Sequence, residues 1–215
     1  MNGPSDANGH GTHARRAPAQ AAIPPQAQAV LAFWFDPQSR AGRAHEVRPE
    51  WFRKDPDFDA AIRERFGALL EQAAEDGLAE WGETPPAALA RLIVCDQFPR
   101  NLFRDSPRAF AFDATARGIA RTLVAGGGHL SLHPLERWFA YLPFEHSESL
   151  ADQLWALALF ATLRDDPMAG GAYEWAVRHH EVIARFGRFP HRNQVLGRDS
   201  TPEELAFLAQ PGSRF

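Results

Sequence analysis

Cysteine is almost missing from this chain. Cys95 stands alone among 215 residues, which excludes an internal disulfide and a cysteine-built zinc cluster and fits a reducing compartment. Its setting in the run Leu92-Ile93-Val94-Cys95 predicts a buried, inert thiol. Long apolar runs are missing too, since nothing approaches the roughly 20 apolar residues that cross a bilayer. The opening residues MNGPSDANGHGTHARRAP lack the apolar centre of a signal peptide. There is no excess of positive charge. A formal net charge of −4 and an isoelectric point near 6.1 exert no long-range pull on nucleic acid or acidic membranes. A cytoplasmic protein that binds neither is expected.

Several signatures are also absent. No Gly-x-Gly-x-x-Gly, Walker-type loop, Gly-x-Ser-x-Gly elbow or His-Glu-x-x-His occurs. Gly126-Gly127-Gly128 follows a helical pattern and reads as a linker. His146, Glu148, His179, His180 and His191 lack metal-ligand spacing, and His180 falls on an apolar stripe with Val177 and Ile183, where it reads as a core histidine. No cofactor and no metal are expected. No segment sustains the period-two alternation of a strand.

What is present is helical punctuation. Residues 1 to 24 are poor in large apolar side chains and predict a disordered N-terminal tail, with His10, His13, Arg15 and Arg16 too loosely spaced for a site. Residues 25 to 215, in a chain of 45% hydrophobic content, predict a single all-α domain. Val30, Leu31 and Trp34 form a first apolar face ended by Asp36-Pro37. Asp55-Pro56 opens a helix whose Phe58, Ile62, Phe66, Leu69, Leu70 and Ala73 recur at steps of three and four. Thr84-Pro85 and Ser106-Pro107 start two more, the first broken at Phe98-Pro99. His133-Pro134 leads into a helix ended by Pro143. Further stripes are Leu150, Leu154, Leu157 and Phe160, and Tyr173, Ala176, Val177, His180 and Ile183. Thr201-Pro202-Glu203-Glu204 begins the last with a capping box. About eight helices result, and short breaks predict stacked antiparallel hairpins. The six tryptophans stand at or near these stripes and read as core.

One phrase occurs twice. Phe98-Pro99-Arg100-Asn101, followed by Arg104-Asp105-Ser106-Pro107 and Ala109-Phe110, is echoed by Phe189-Pro190-His191-Arg192-Asn193, followed by Arg198-Asp199-Ser200-Thr201-Pro202 and Ala206-Phe207. Each copy is expected where one helix stops and another starts, which accounts for the prolines and for arginines that complement helix C-termini. Left over is a concentration of guanidinium groups, whose fork of donors matches carboxylate and phosphate. Asp96, Asp105, Asp113 and Asp199 stand ready to pair with those arginines internally. A second cluster is Pro143-Phe144-Glu145-His146-Ser147-Glu148. Ser147 or Ser149 serves as a cap there, and Glu145 beside His146 forms a carboxylate–imidazole pair suited to acid–base work near neutral pH.

The strings Asp96-Gln97-Phe98-Pro99-Arg100-Asn101, Phe144 to Glu148 and Arg185 to Asn193, with Leu31 to Phe35 and the closing S-T-P-E-E-L-A-F-L, resemble the bacterial family catalogued as domain of unknown function 924. The resemblance covers about residues 28 to 209. It implies an all-helical, tetratricopeptide-like superhelix and carries no activity. The binding set expected is Gln97, Arg100, Asn101, Arg104, Glu145, His146, Arg188, His191, Arg192 and Asn193. Its guest is an anionic small molecule or an acidic peptide. The alternative is a small-molecule enzyme in which Glu145 and His146 exchange protons while Arg188, His191 and Arg192 hold an anionic group.

Overall fold

The computed structural model describes residues 22–35, 46–75 and 77–213. The expected tail lies almost wholly outside these residues, as do Asp36-Pro37. The described residues form helices and 3-10 turns with no strand. Helix α1 spans Pro25–Phe35 and α2 spans Pro56–Ala74. Helix α3 is a continuous rod over residues 85–102, α-helical at Pro85–Leu92 and Phe98–Leu102 with a π turn, Ile93–Gln97, between them. Then come α4, Asp113–Ala125, α5, Pro134–Glu145, α6, Leu150–Ala161, α7, Ala172–Phe186, and α8, Pro202–Leu208. With α3 taken as one rod, these are the eight helices among the described residues.

Local chemistry sets the starts. Asp55 accepts from the Asp57 and Phe58 amides, and Thr84 from the Ala87 amide, satisfying donors that a first helical turn cannot bond itself. Thr201 and Glu204 form the expected capping box, and His133 and Glu136 form another. Between α1, α2, α3 and α5, Trp34 is fully buried against the rings of Trp51, Phe58, Phe98 and Phe139. Sequence neighbours α4 to α7 pack each on the next, and α3 also meets α1, α4 and α5. Cys95 is buried.

Five expectations change. Phe98-Pro99 does not break a helix. The π turn absorbs the proline: Phe98 N–H donates to Ile93 O, five residues back, and the wider turn tolerates a ring and a missing donor that a regular turn rejects. Pro143 does not end α5 either; the helix continues through Glu145, whose end is held by Gln153 Nε2 donating to the carbonyls of Glu145 and Ser147, each at 2.7 Å. On α6, Leu150 and Leu154 are about half exposed, while Asp152, Gln153, Ala156 and Phe160 face inward. On α7, His179 rather than His180 lies on the buried face. Two tryptophans, Trp155 and Trp175, are about half exposed rather than core.

Candidate functional site

The π turn matters because of what it points inward. Asp96, on that turn, is buried and accepts from Gln97 Nε2 at 2.6 Å. Its other oxygen is 2.8 Å from His146 Nδ1, at the end of α5. Burial alone pushes the Asp96 carboxyl up, but His146, Arg100 and the Gln97 donor outweigh it and hold the group down at about 2. An ionised Asp96 fixes the proton of neutral His146 on Nδ1 and leaves Nε2 as the basic atom. Burial and the charge of Arg100 lower the His146 imidazole, with Asp96 opposing.

Arg100 follows one turn along α3. Its Nη1 donates to Ala109 O and to Asp113 Oδ1, each at 3.0 Å, while Nη2 is 3.5 Å from Asp96 Oδ1 without a hydrogen bond. Asp113 opens α4, where a carboxylate suits the positive end of the helix dipole. Its other oxygen is 3.7 Å from Arg192 Nη1. Arg192 comes from the second copy of the repeated phrase, so the two copies meet at Asp113. They meet again at Phe110, whose ring centroid lies 5.5 Å from the Arg100 guanidinium and 4.8 Å from that of Arg192. Phe189 stands 4.4 Å from Arg192. With two rings against it, the Arg192 guanidinium has a set plane.

The hydrogens of that guanidinium are unevenly used. Nη1 donates to His146 O at 3.0 Å. Nε is buried with no hydrogen bond, and among the described residues Nη2 has none either. Burial first, then the charge of Arg100, lower Arg192 to about 10, so it stays a cation near neutral pH. The cluster reaches solvent through partial exposure of the side chains of His146 (14%), Asp113 (16%) and Arg100 (20%).

Glu145 and His146 do not form the acid–base pair expected. Successive residues of a helix point in different directions, and Glu145 turns to His179 of α7, its Oε1 3.1 Å from Nδ1. That nitrogen also donates to Trp175 O at 2.9 Å. Burial, reinforced by the charge of Asp96, raises Glu145 to about 8, and burial lowers His179 to about 3. Both are neutral near pH 7, and Glu145 Oε2 is buried without a hydrogen bond.

The expected binding set divides. Gln97, Arg100, His146 and Arg192 converge, with Glu145 behind them. His191 packs its ring 5.6 Å from Phe189 at the edge of the cluster. Asn101 and Arg104 instead bind Asp59 of α2, the arginine through two hydrogen bonds of 3.1 Å. Arg188 is bidentate on Glu204 at 2.7 and 2.8 Å, and Asn193 donates to Ser200 and Glu204. These four build the corners. Four residues outside the expected set, Asp96, Phe110, Asp113 and Phe189, join it. Asp96 stands four before Arg100, the helical spacing of an ion pair, and that spacing was its visible signal. Among the described residues, no group of three or more His, Cys, Asp and Glu is placed to hold a metal ion, and no helix is long and apolar enough to cross a membrane.

The fold and the contacts define an all-α protein with an arginine–carboxylate–histidine cluster at the junction of α3, α4, α5 and the loop after α7. The chain belongs to the DUF924 family, described as bacterial protein of unknown function, whose model matches residues 30–212. It is similar to the solved structure of a protein of unknown function from Agrobacterium tumefaciens, with 36% identity and a TM-score of 0.73 over 85% of this chain and 96% of that one. Comparison with curated proteins gave no match.

Proposed function

We propose that the protein binds a small carboxylate on the side edge of Arg192. The observation that carries this reading is the unused Nε–Nη2 edge of a guanidinium held between Phe110 and Phe189. Two parallel N–H donors on that edge match the two oxygens of a carboxylate. A buried donor without a partner costs on the order of 1–3 kcal/mol, and a ligand oxygen removes that cost. The charges favour a monoanion over a phosphate dianion. Around Arg192, the cations Arg100, Arg192 and Arg198 already face the carboxylates of Asp96, Asp113 and Glu148. A dianion would leave the larger excess of buried charge. Depth favours a small molecule over a peptide side chain, because Arg192 is only 7% exposed. A tetratricopeptide-like superhelix, as the family resemblance implies, would add a concave face, but the reading rests on Arg192 alone. A cytoplasmic setting would supply many such carboxylates.

The test is thermal unfolding with acetate, pyruvate, succinate and inorganic phosphate. A ligand at about 100 times its Kd stabilises by about 2.7 kcal/mol, worth about 5 °C or more for a chain of this size. A shift with a carboxylate that falls at least about tenfold in affinity in Arg192→Lys, which keeps charge but loses the fork, supports the reading. Equal affinity in that variant, or no shift with any carboxylate, contradicts it.

A further inference from the structure

Resting on that carboxylate-binding reading, we propose that the site takes up its carboxylate together with one proton, and that the proton goes to Nε2 of His146. The geometry carries it. His146 is joined to Arg192 through its own carbonyl at 3.0 Å, so guanidinium and imidazole belong to one connected unit. Asp96 fixes Nδ1 at 2.8 Å. Among the described residues Nε2 has no hydrogen bond, and the imidazole is the more exposed of the two side chains, at 14%. An anion on Arg192 therefore adds its charge to the same connected cluster of groups that holds the His146 imidazole, whose Nε2 is able to accept a proton.

The groups that face His146 explain why it lacks the proton beforehand. Arg100, on the last turn of α3, sits near it and disfavours a second cation, while Asp96 from the π turn and Asp113 from α4 favour one. Glu145, on its own helix, is kept neutral by burial and supplies no charge. His179 from α7, with its ring centroid 6.5 Å away, is kept neutral likewise. Arg192, from the loop after α7, adds a further positive charge. A bound carboxylate offsets Arg192 and Arg100 and tips this balance toward the imidazolium. The proton comes from solvent, no covalent bond changes, and the charge added by the anion is cancelled.

Calorimetric titration with pyruvate, in buffers of differing ionisation heat and from about pH 5.5 to about pH 7.5, counts the protons. Wild-type protein is expected to take up close to one proton per pyruvate at its maximum. His146→Asn, whose amide can still donate to Asp96, is expected to bind pyruvate with no proton uptake and no pH dependence in this window. In case that variant is unstable, a histidine ring titration of wild-type protein by NMR serves as the second measurement, with the His146 midpoint expected to rise by about one pH unit or more when pyruvate is bound. Pyruvate binding without proton uptake, uptake that persists in His146→Asn, or an unmoved His146 midpoint overturns the inference while the carboxylate-binding reading survives. Absence of pyruvate binding, with acetate and succinate also failing to bind, overturns both.

Discussion

A guanidinium usually spends its donors on whatever the fold places around it. Arg104, Arg188 and Arg198 do so, each closing two hydrogen bonds on a carboxylate, Asp59, Glu204 and Glu148 respectively. Arg192 differs in keeping one edge unused inside the protein. Glu145 is its counterpart among the carboxyls, since burial holds it neutral where an ordinary glutamate is charged. Its raised value, from 4.5 to about 8, contributes stability that is fully present below pH 4.5 and is lost as pH rises through about 8. The greatest slope is about 1.4 kcal/mol per pH unit. Glu145→Gln, a neutral replacement of the same shape, should therefore unfold at nearly the wild-type urea concentration near pH 5 but at a higher one near pH 8.5. Equal alkaline losses in both proteins would mean that Glu145 is ionised in the fold.

Helix α6 puts the elements to the test. Its residues are apolar nearly all round, so period alone did not identify the buried face, and the stripe chosen from spacing included Leu150 and Leu154. What decides the face is polar: Gln153 holds the carbonyl end of α5, and Asp152 accepts from Ser147 at 2.7 Å and pairs with Arg121 and Arg117. Leu154→Gln should change stability by no more than about 0.5 kcal/mol, whereas Phe160→Ala should cost about 3–5 kcal/mol. Urea unfolding of the pair checks this, and the opposite order would restore the stripe. Caps such as Asp55, Thr84 and Thr201 were legible because they act within three residues of themselves. Thr201→Ala should cost about 1 kcal/mol. The π turn was not legible, because Pro99 is tolerated only where a wider turn is packed in place. Nor was the partner of His146 legible, since Asp96 lies fifty residues from it and Glu145 lies next door.

Across the whole molecule, the segment after α7 is tied down mainly by polar contacts. Arg198 is bidentate on Glu148 at 2.8 and 3.0 Å, and Arg192 reaches His146 O, while Phe189 packs in a small cluster with Val182 and Ile183 that is separate from the main core. Such a segment opens at lower cost than the core. A carboxylate on Arg192 should slow amide hydrogen exchange at residues 189–198 selectively. The pH dependence of stability is also set by buried groups. His179, lowered from 6.5 to about 3, contributes stability that is full above pH 6.5 and is lost as pH falls toward 3. Asp96, lowered from 3.8 to about 2, adds a loss at still lower pH. Between pH 4.5 and 6.5 the opposing slopes of His179 and Glu145 offset each other, and His146 and His129, lowered likewise, leave a net loss as pH falls below 6.5. Urea unfolding should therefore show greatest stability near pH 6.5, with a shallow fall toward pH 4.5 and steeper losses above pH 6.5 and below pH 4.5.

Arginine-detected NMR of the Arg192 Nε–H group during titration with pyruvate is the most direct test. A carboxylate on the Nε–Nη2 edge gives that proton a charged acceptor, so its resonance should move downfield and its exchange with water should slow, while Arg188 and Arg198 stay unchanged. An Arg192 Nε–H signal that does not move at saturating pyruvate would contradict the account.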